Sequence, residues 1–183
     1  MHFDHNFLVA SAWDLLEQRG LNGLSADSLS QLSGIPLTDV LGLCPTPVSI
    51  LLLLWNDIEE KAATQPAHNL SVHDYLFESL MNHLDQALSH KVAINRVLDE
   101  LLLSPCWVVD LKPQALKWSR SVLMNANADL GGLLGEIKPF VFGVFCLYVL
   151  KVWGADQTLD HSETMAKLDL GLRKLEEWQS WCW

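Results

Sequence analysis

Positive charge is scarce in this chain, and that scarcity limits the kinds of partner it can bind. The sequence has 12 Lys and Arg residues against 22 Asp and Glu residues, a formal net charge of −10. Residues 1–64 contain Arg19 and Lys61 against eight acidic residues. A negative protein repels nucleic acid and anionic lipid head groups. Affinity for DNA also depends on Lys and Arg that neutralise phosphates. The charge therefore argues against DNA as a partner.

Paired cysteines are also missing. Cys44, Cys106, Cys146 and Cys182 stand far apart, each among apolar neighbours. Such cysteines predict reduced, buried side chains in a cytoplasmic protein rather than disulfides.

The motifs of common catalytic and metal sites are absent as well. The seven histidines show no HExxH or Cys/His ligand spacing, so we predict no metal site. Gly131, Gly132 and Gly135 lack the Lys and the preceding strand of a phosphate-binding loop. No local catalytic motif is recognisable either. We therefore expect no cofactor and no enzymatic activity.

Targeting signals are not evident. The N-terminus lacks a basic region followed by an apolar one, which argues against a signal peptide. The longest apolar run, 140–150, is shorter than the roughly 20 residues that span a bilayer. We interpret it as a buried helix and expect a cytoplasmic protein.

What the chain does contain is apolar residues at helical spacing. Half of the residues are hydrophobic, more than one core needs, so a cavity, a dimer face or a membrane-facing patch is expected. No segment shows sustained alternation, and the pattern predicts an all-α protein of nine helices. We place a head at 1–64 and a helical body at 65–183. The predicted helices are 7–19, 25–32, 36–43, 48–64, 72–89, 91–103, 113–129, 136–153 and 162–178.

The head has the outline of a helix-turn-helix. Ser25 can cap a short second helix, and Gly34 can form the turn. Pro36 suits the first position of a third helix. We expect three leucines of this region to face inward: Leu24, Leu29 and Leu32.

The order of these elements resembles the TetR family of bacterial regulators. The matching residues are Glu17-Gln18-Arg19-Gly20, Ser33-Gly34-Ile35 and Cys44-Pro45, where the family has Ala-Gly-Val at the turn and Phe-Pro after the recognition helix. The resemblance implies a helix-turn-helix head and a helical ligand-binding and dimerisation body. It also implies a recognition helix at 36–43. The positions that would face DNA are Leu37, Thr38, Asp39, Leu41 and Leu43.

Those positions are poor ligands for a duplex. Only Thr38 can donate a hydrogen bond to phosphate, and the carboxylate of Asp39 would be repelled by it. We therefore predict a degenerate recognition helix.

The C-terminal part contains Trp153, Asp156, Asp160-His161, Thr164-Met165, Leu168-Asp169 and Leu172. This pattern resembles a narrower group, the TetR-fold lipid-binding accessory proteins of ubiquinone biosynthesis. The resemblance implies an isoprenoid lipid held between helices and a quinone precursor presented to a partner enzyme, a hydroxylase. Trp178, Trp181 and Trp183 are the candidates for peripheral membrane contact.

Large apolar side chains of the body are candidates for a ligand pocket, with ordinary core packing as the alternative for each. The pocket candidates are Phe77, Leu80, Met81, Leu84, Trp107, Trp118, Leu123, Phe142 and Phe145. A second set is expected to form a homodimer face, with a monomer core as its alternative. These residues are Phe140, Val144, Leu147, Met165, Leu168 and Leu172.

Three functions remain open at this point. The first is a non-enzymatic binder of a hydrophobic small molecule or lipid that has lost DNA binding. The second is a ligand-responsive repressor that binds DNA through its head. The third is a protein-interaction module, which exposure of Leu37, Leu41 and Leu43 as one patch would favour.

Overall fold

The protein is all-α, as predicted. The computed structural model describes residues 5–62 and 70–181, apart from the side chains of Leu102, Leu133, Leu134 and residues 178–181. The described residues form nine α-helices and no strand. The helices are α1 (His5–Arg19), α2 (Ala26–Ser33), α3 (Leu37–Leu43), α4 (Pro47–Lys61), α5 (Val72–Gln86), α6 (Lys91–Leu103), α7 (Pro105–Asn125), α8 (Ile137–Ala155) and α9 (Ser162–Trp181).

Local hydrogen bonds explain where several of these helices begin and end. The Ser25 hydroxyl accepts the amide of Ser28 at 3.0 Å, which caps α2. Gly34 ends α2 in the left-handed conformation, with φ of 68°. The Ser71 hydroxyl accepts the amide of Asp74 at 3.0 Å and caps α5. These caps follow from residue types that the sequence displays.

The start of α7 differs from the prediction. The helix begins at Pro105, eight residues before the predicted start at Pro113, and continues through Pro113. Both prolines suit a first turn, where the missing N–H has no helical partner. Pro105 occupies that position, and Pro113 lies in the helix interior, where proline forfeits a backbone hydrogen bond.

The chain divides into two compact units. The first comprises 1–61 and 87–110, and the second comprises 62–86 and 111–183. The predicted division at 64/65 falls within 63–69, which lie outside the described residues, and it assigned α6 to the body. In the structure α6 belongs to the first unit, and α7 begins there.

Polar contacts account for the place of α6 in the first unit. The Glu100 carboxylate accepts the amide of Leu21 at 2.6 Å and the Arg96 Nε–H at 2.8 Å. Arg96 also donates to the carbonyl oxygen of Glu17 at 2.9 Å. Gly20 has φ of 67°, and a side chain there would overlap the Glu100 carboxylate. The Arg-Gly end of α1 is therefore the attachment point of α6.

The core of the first unit is centred on α1, which contacts α2, α4 and α6. Leu8, Leu15 and Leu16 of α1 are almost completely buried. Leu29 and Val40 contribute from α2 and α3.

The second unit is built on contacts of α9 with α5 and α8. Phe142, Val149 and Trp153 form the buried face of α8, and Leu168 and Leu172 that of α9. All five are at most 2% exposed. The unit therefore has an apolar core of its own.

Candidate functional site

The predicted recognition helix, α3, is mostly a surface element. Leu37, Leu41 and Leu43 are 38%, 44% and 48% exposed, whereas Val40 is buried and attaches the helix to the core. Leu37 and Leu41 are four residues apart and share a face of the helix. Thr38 is exposed, and its hydroxyl lies 3.5 Å from the Asp39 carboxylate. The helix thus presents leucines and a carboxylate.

Leu32, expected to face inward with Leu24 and Leu29, is 42% exposed. The buried positions of α2 are Ala26, Leu29 and Ser33, which recur at helical spacing and leave Leu32 off that face. Leu32 thereby adds apolar surface near the end of α2, a helix that contacts α3.

Lys and Arg residues elsewhere in the first unit do not offset the leucines and the carboxylate of α3. The first unit contains four Lys and Arg residues in its described part, and no Lys or Arg lies between Arg19 and Lys61. Lys61 donates to Asp57 at 2.7 Å, and Arg96 is paired with Glu100. The described part of the head therefore offers little positive charge to a phosphate backbone.

The second unit contains a cavity of about 180 Å³. It opens among the N-terminal turns of α5 and α8, the C-terminal part of α7 and the second half of α9. Its apolar walls come from Val72, Leu76, Leu123, Ala128, Val141, Phe142, Leu172 and Leu175. Its polar groups come from His73, Asp129, Lys138 and Glu176.

Two of the nine predicted pocket residues, Leu123 and Phe142, line this cavity. Leu80 and Leu84 are buried elsewhere in the second unit. Trp107 belongs to the first unit, where it lines a shallow groove. The four others are half-buried and do not line the cavity: Phe77, Met81, Trp118 and Phe145.

Aromatic packing explains this outcome. The Trp118 ring stacks on Phe142 at 6.2 Å between centroids and meets the edge of His83 at 5.9 Å. Phe77 stacks on His73 at 6.5 Å. Large rings fill the space between helices, so the cavity opens where the walls are mostly Val, Ala and Leu. Large aromatic side chains therefore mark the space that they fill between helices and not the cavity.

His73 is the centre of a polar network at the cavity wall. Its Nδ1 lies 3.2 Å from Asp74 Oδ1, and its Nε2 lies 3.2 Å from Asp169 Oδ1. The Nε2 contact is within ion-pair distance but lacks the geometry of a hydrogen bond. The hydrogen bonds from Ser71 and His73 hold the pKa of Asp74 below its usual range. Arg173 donates to Asp169 at 3.0 Å. The imidazole is therefore held between two carboxylates.

Lys138 is the buried cation of the cavity. Its residue is 4% exposed, and its Nζ donates to the carbonyl oxygen of Asp129 at 2.7 Å. The carboxylate of Asp129 accepts the amide of Gly131 at 2.8 Å. Sequence reasoning did not include Lys138 in the site. The sequence feature that could have indicated Lys138 is its position as a lysine near the start of an otherwise apolar helix.

The C-terminal residues that resemble the ubiquinone accessory proteins mostly build the corner between α8 and α9. The Asp156 carboxylate accepts the amide and hydroxyl of Thr158 at 2.9 and 2.6 Å, and those of Thr164 at 2.8 and 2.6 Å. Trp153 and Leu168 are buried there. Leu172 lines the cavity, and Asp169 contacts His73 at its wall. Most of this motif is thus structural.

The predicted dimer residues fall into two groups. Phe140, Val144 and Leu147 are 51% to 52% exposed and lie along one side of α8. Leu168 and Leu172 are buried within their own unit, in contrast to their predicted place on a dimer face. Met165 is half-buried. The face available for a dimer lies on α8, because the inner side of α9 packs on α5 and α8.

Helix α8 is long and apolar enough to cross a membrane by length and composition. At 19 residues it is about 28 Å long, so the shortness of the 140–150 run does not exclude a span. Among the described residues, α3 and α4, bent by 70°, pass the same test as a pair. The burial of Lys138 and Trp153 and the contacts with α9 are those of a core helix.

The predicted buried cysteines differ in their exposure. Cys44 and Cys146 are buried, and burial raises the pKa of both thiols. Cys106 is exposed, contrary to its predicted core position. Cys182 and Trp183 lie outside the described residues. Trp178 and Trp181 fall within α9, but their side chains are not described, so membrane contact stays a prediction.

Comparison of the sequence with protein-family models and with curated proteins finds no significant match.

Proposed function

We propose that this protein is a TetR-like, non-enzymatic binder of a hydrophobic ligand whose head has lost DNA recognition. The supporting observation is the cavity of the second unit, with its apolar walls and the buried Lys138. Concave, mostly apolar sites with a few polar groups are typical of small-molecule binding. The protein would hold or present its ligand in the cytoplasm rather than transform it.

The C-terminal resemblance extends this proposal to a quinone-related lipid and a partner enzyme that modifies it. The cavity, at about 180 Å³, is smaller than the pockets of about 300–1,000 Å³ that hold drug-sized ligands. Its volume therefore supports binding of a ring. An isoprenoid tail would have to lie outside the cavity. In this proposal the ring is the part that the protein recognises.

Native mass spectrometry of the protein purified from a bacterial host tests the proposal. We expect a bound small molecule that denaturing extraction releases and identifies. The variant Val141→Trp, which fills the cavity, should lose it, whereas Lys151→Trp, at an exposed position of the same helix, should retain it. A wild-type protein that retards DNA and carries no ligand would favour the repressor instead.

The proposal includes a homodimer formed through α8. Ile137, Phe140, Val144 and Leu147 follow one another at spacings of three and four residues, the pattern of a helix-packing seam. Each is about half exposed. A second copy of the same seam would bury these side chains.

One observation favours a second candidate, a protein-interaction role for the head. Leu37 and Leu41 are exposed on one face of α3, and Leu43 is exposed at its end. Surface leucines with few nearby cations suit an apolar partner better than DNA. A photo-crosslinker at Leu41 should label one partner, and Leu37→Asp should abolish that labelling. A crosslinker at exposed Gln31 is the control. Equal labelling from both positions would argue against this role.

A further inference from the structure

We infer that the cavity of the second unit binds a ring-sized organic acid, with its carboxylate beside the buried ammonium of Lys138. This inference rests on the proposed ligand-binding function and specifies the class of ligand. The size of the cavity, its walls and the position of its charges support it in turn.

The cavity has room for about one ring. Its volume is about 180 Å³. An engineered cavity of about 150 Å³ in another protein holds one benzene molecule. A single aromatic or alicyclic ring with one short substituent therefore fits, whereas a long acyl or isoprenoid chain does not.

The walls favour the apolar body of such a ligand. Leu123, Phe142 and Leu172 are at most 3% exposed where they line the cavity. Trp118 stacks on Phe142 and supports this aromatic part of the wall. A ring placed against these side chains would leave water for a well-packed apolar surface.

The charges favour an acid over an amine. Lys138 is 4% exposed, so its positive charge acts on a ligand with little screening by solvent. The carboxylates of Asp129 and Glu176 also line the cavity, but both residues are exposed, and water and salt weaken their effect. His73, held by Asp74 and Asp169, supplies a further polar group at the wall.

Three probes of nearly equal size test the inference: benzoate, benzyl alcohol and benzylamine. Binding to the full chain is measured by isothermal titration calorimetry, with ligand-observed NMR for weak complexes. We expect benzoate to bind more tightly than benzyl alcohol, and benzylamine to bind weakest. Lys138→Met should weaken benzoate binding by roughly 10- to 100-fold, the effect of losing a charged hydrogen bond, and leave benzyl alcohol binding nearly unchanged.

Controls separate loss of charge from loss of fold. Lys151→Met removes an exposed lysine of the same helix and should leave all three affinities unchanged. Binding of benzyl alcohol and the circular dichroism spectrum report whether Lys138→Met is folded. Lys138→Arg keeps the charge and should keep the preference for benzoate. If neither variant folds, the order of the three affinities in the wild type still tests whether the cavity prefers an acid.

The other outcomes overturn the inference in distinguishable ways. Equal binding of benzoate and benzyl alcohol, or tighter binding of benzylamine, would mean that the buried ammonium does not select the ligand. Binding of farnesol but of none of the three rings would overturn the inference and the proposed recognition of a ring, and would leave standing the proposed binding of a hydrophobic ligand. Binding of neither farnesol nor any ring would overturn both.

Discussion

Gly171 lies inside α9, where the ring of Phe145 from α8 occupies the space that a side chain would need. We predict that Gly171→Ala destabilises the protein by about 1–2 kcal/mol, because overpacking outweighs the gain in helix propensity. Gly42→Ala, with no atom within 4 Å of the added methyl, should instead be neutral or stabilise by up to about 1 kcal/mol. Urea unfolding measures both. A similar effect of the two changes would contradict close packing at Gly171.

Asp156 makes the corner between α8 and α9 sensitive to acid. Hydrogen bonds from Thr158 and Thr164 hold the pKa of its carboxyl well below the ordinary value of 3.8. A lowered native pKa contributes stability at pH values above the unfolded pKa and loses it as the pH falls further. The charged form of Asp156 therefore stabilises the native corner near neutral pH.

We predict that Asp156→Asn lowers the melting temperature by several degrees at pH 7. The difference from the wild type should shrink as the pH falls below about 4, because the wild type then loses the same contribution. Thr164→Val, which removes one buried donor, should lower the melting temperature less. A difference that stays constant between pH 7 and pH 3 would exclude the charged carboxylate as its cause.

At the scale of the element, α8 has two faces with different roles. One face carries Phe142, Val149 and Trp153 into the core, and the other exposes Phe140, Val144 and Leu147. A helix that is apolar all round requires cover on more than one side. Contacts with α9 cover the inner face, and the proposed second copy would cover the outer one.

We predict that Val144→Glu converts the proposed dimer to a monomer, because the carboxylate would be buried against its own copy at the seam. Sedimentation velocity at several concentrations measures this shift. Met124→Glu, at an exposed apolar position of α7 in the same unit, should leave the dimer intact. A wild-type protein that is monomeric at about 100 μM would refute the seam.

At the scale of the whole molecule, the negative charge disfavours DNA binding. The net charge is −10, and no Lys or Arg lies between Arg19 and Lys61. We predict no retardation of genomic DNA fragments at physiological salt in an electrophoretic mobility assay. Retardation that weakens steeply as salt rises would show counterion release, and would restore the repressor hypothesis.

The sequence by itself determined what depends on local chemistry. The spacing of apolar residues predicted the nine helices that the described residues form. Ser25 and Gly34 marked helix ends, because caps and turns act within a few residues. The start of α7 escaped prediction because Pro105 and Pro113 carry the same local signal. Net charge follows from residue types alone, so the scarcity of Lys and Arg in the head was evident from the sequence.

Only the tertiary structure decided which residues meet. His73 lies far from Asp129 and Lys138 in sequence, and the packing of α5, α8 and α9 brings it to the same cavity. Trp118, which sequence reasoning placed in the pocket, packs against Phe142 and His83 instead and does not line the cavity. The attachment of α6 to the end of α1 depends on Arg96 and Glu100, whose partners are 79 residues away. Long-range contacts of this kind leave no periodic signal in a single sequence.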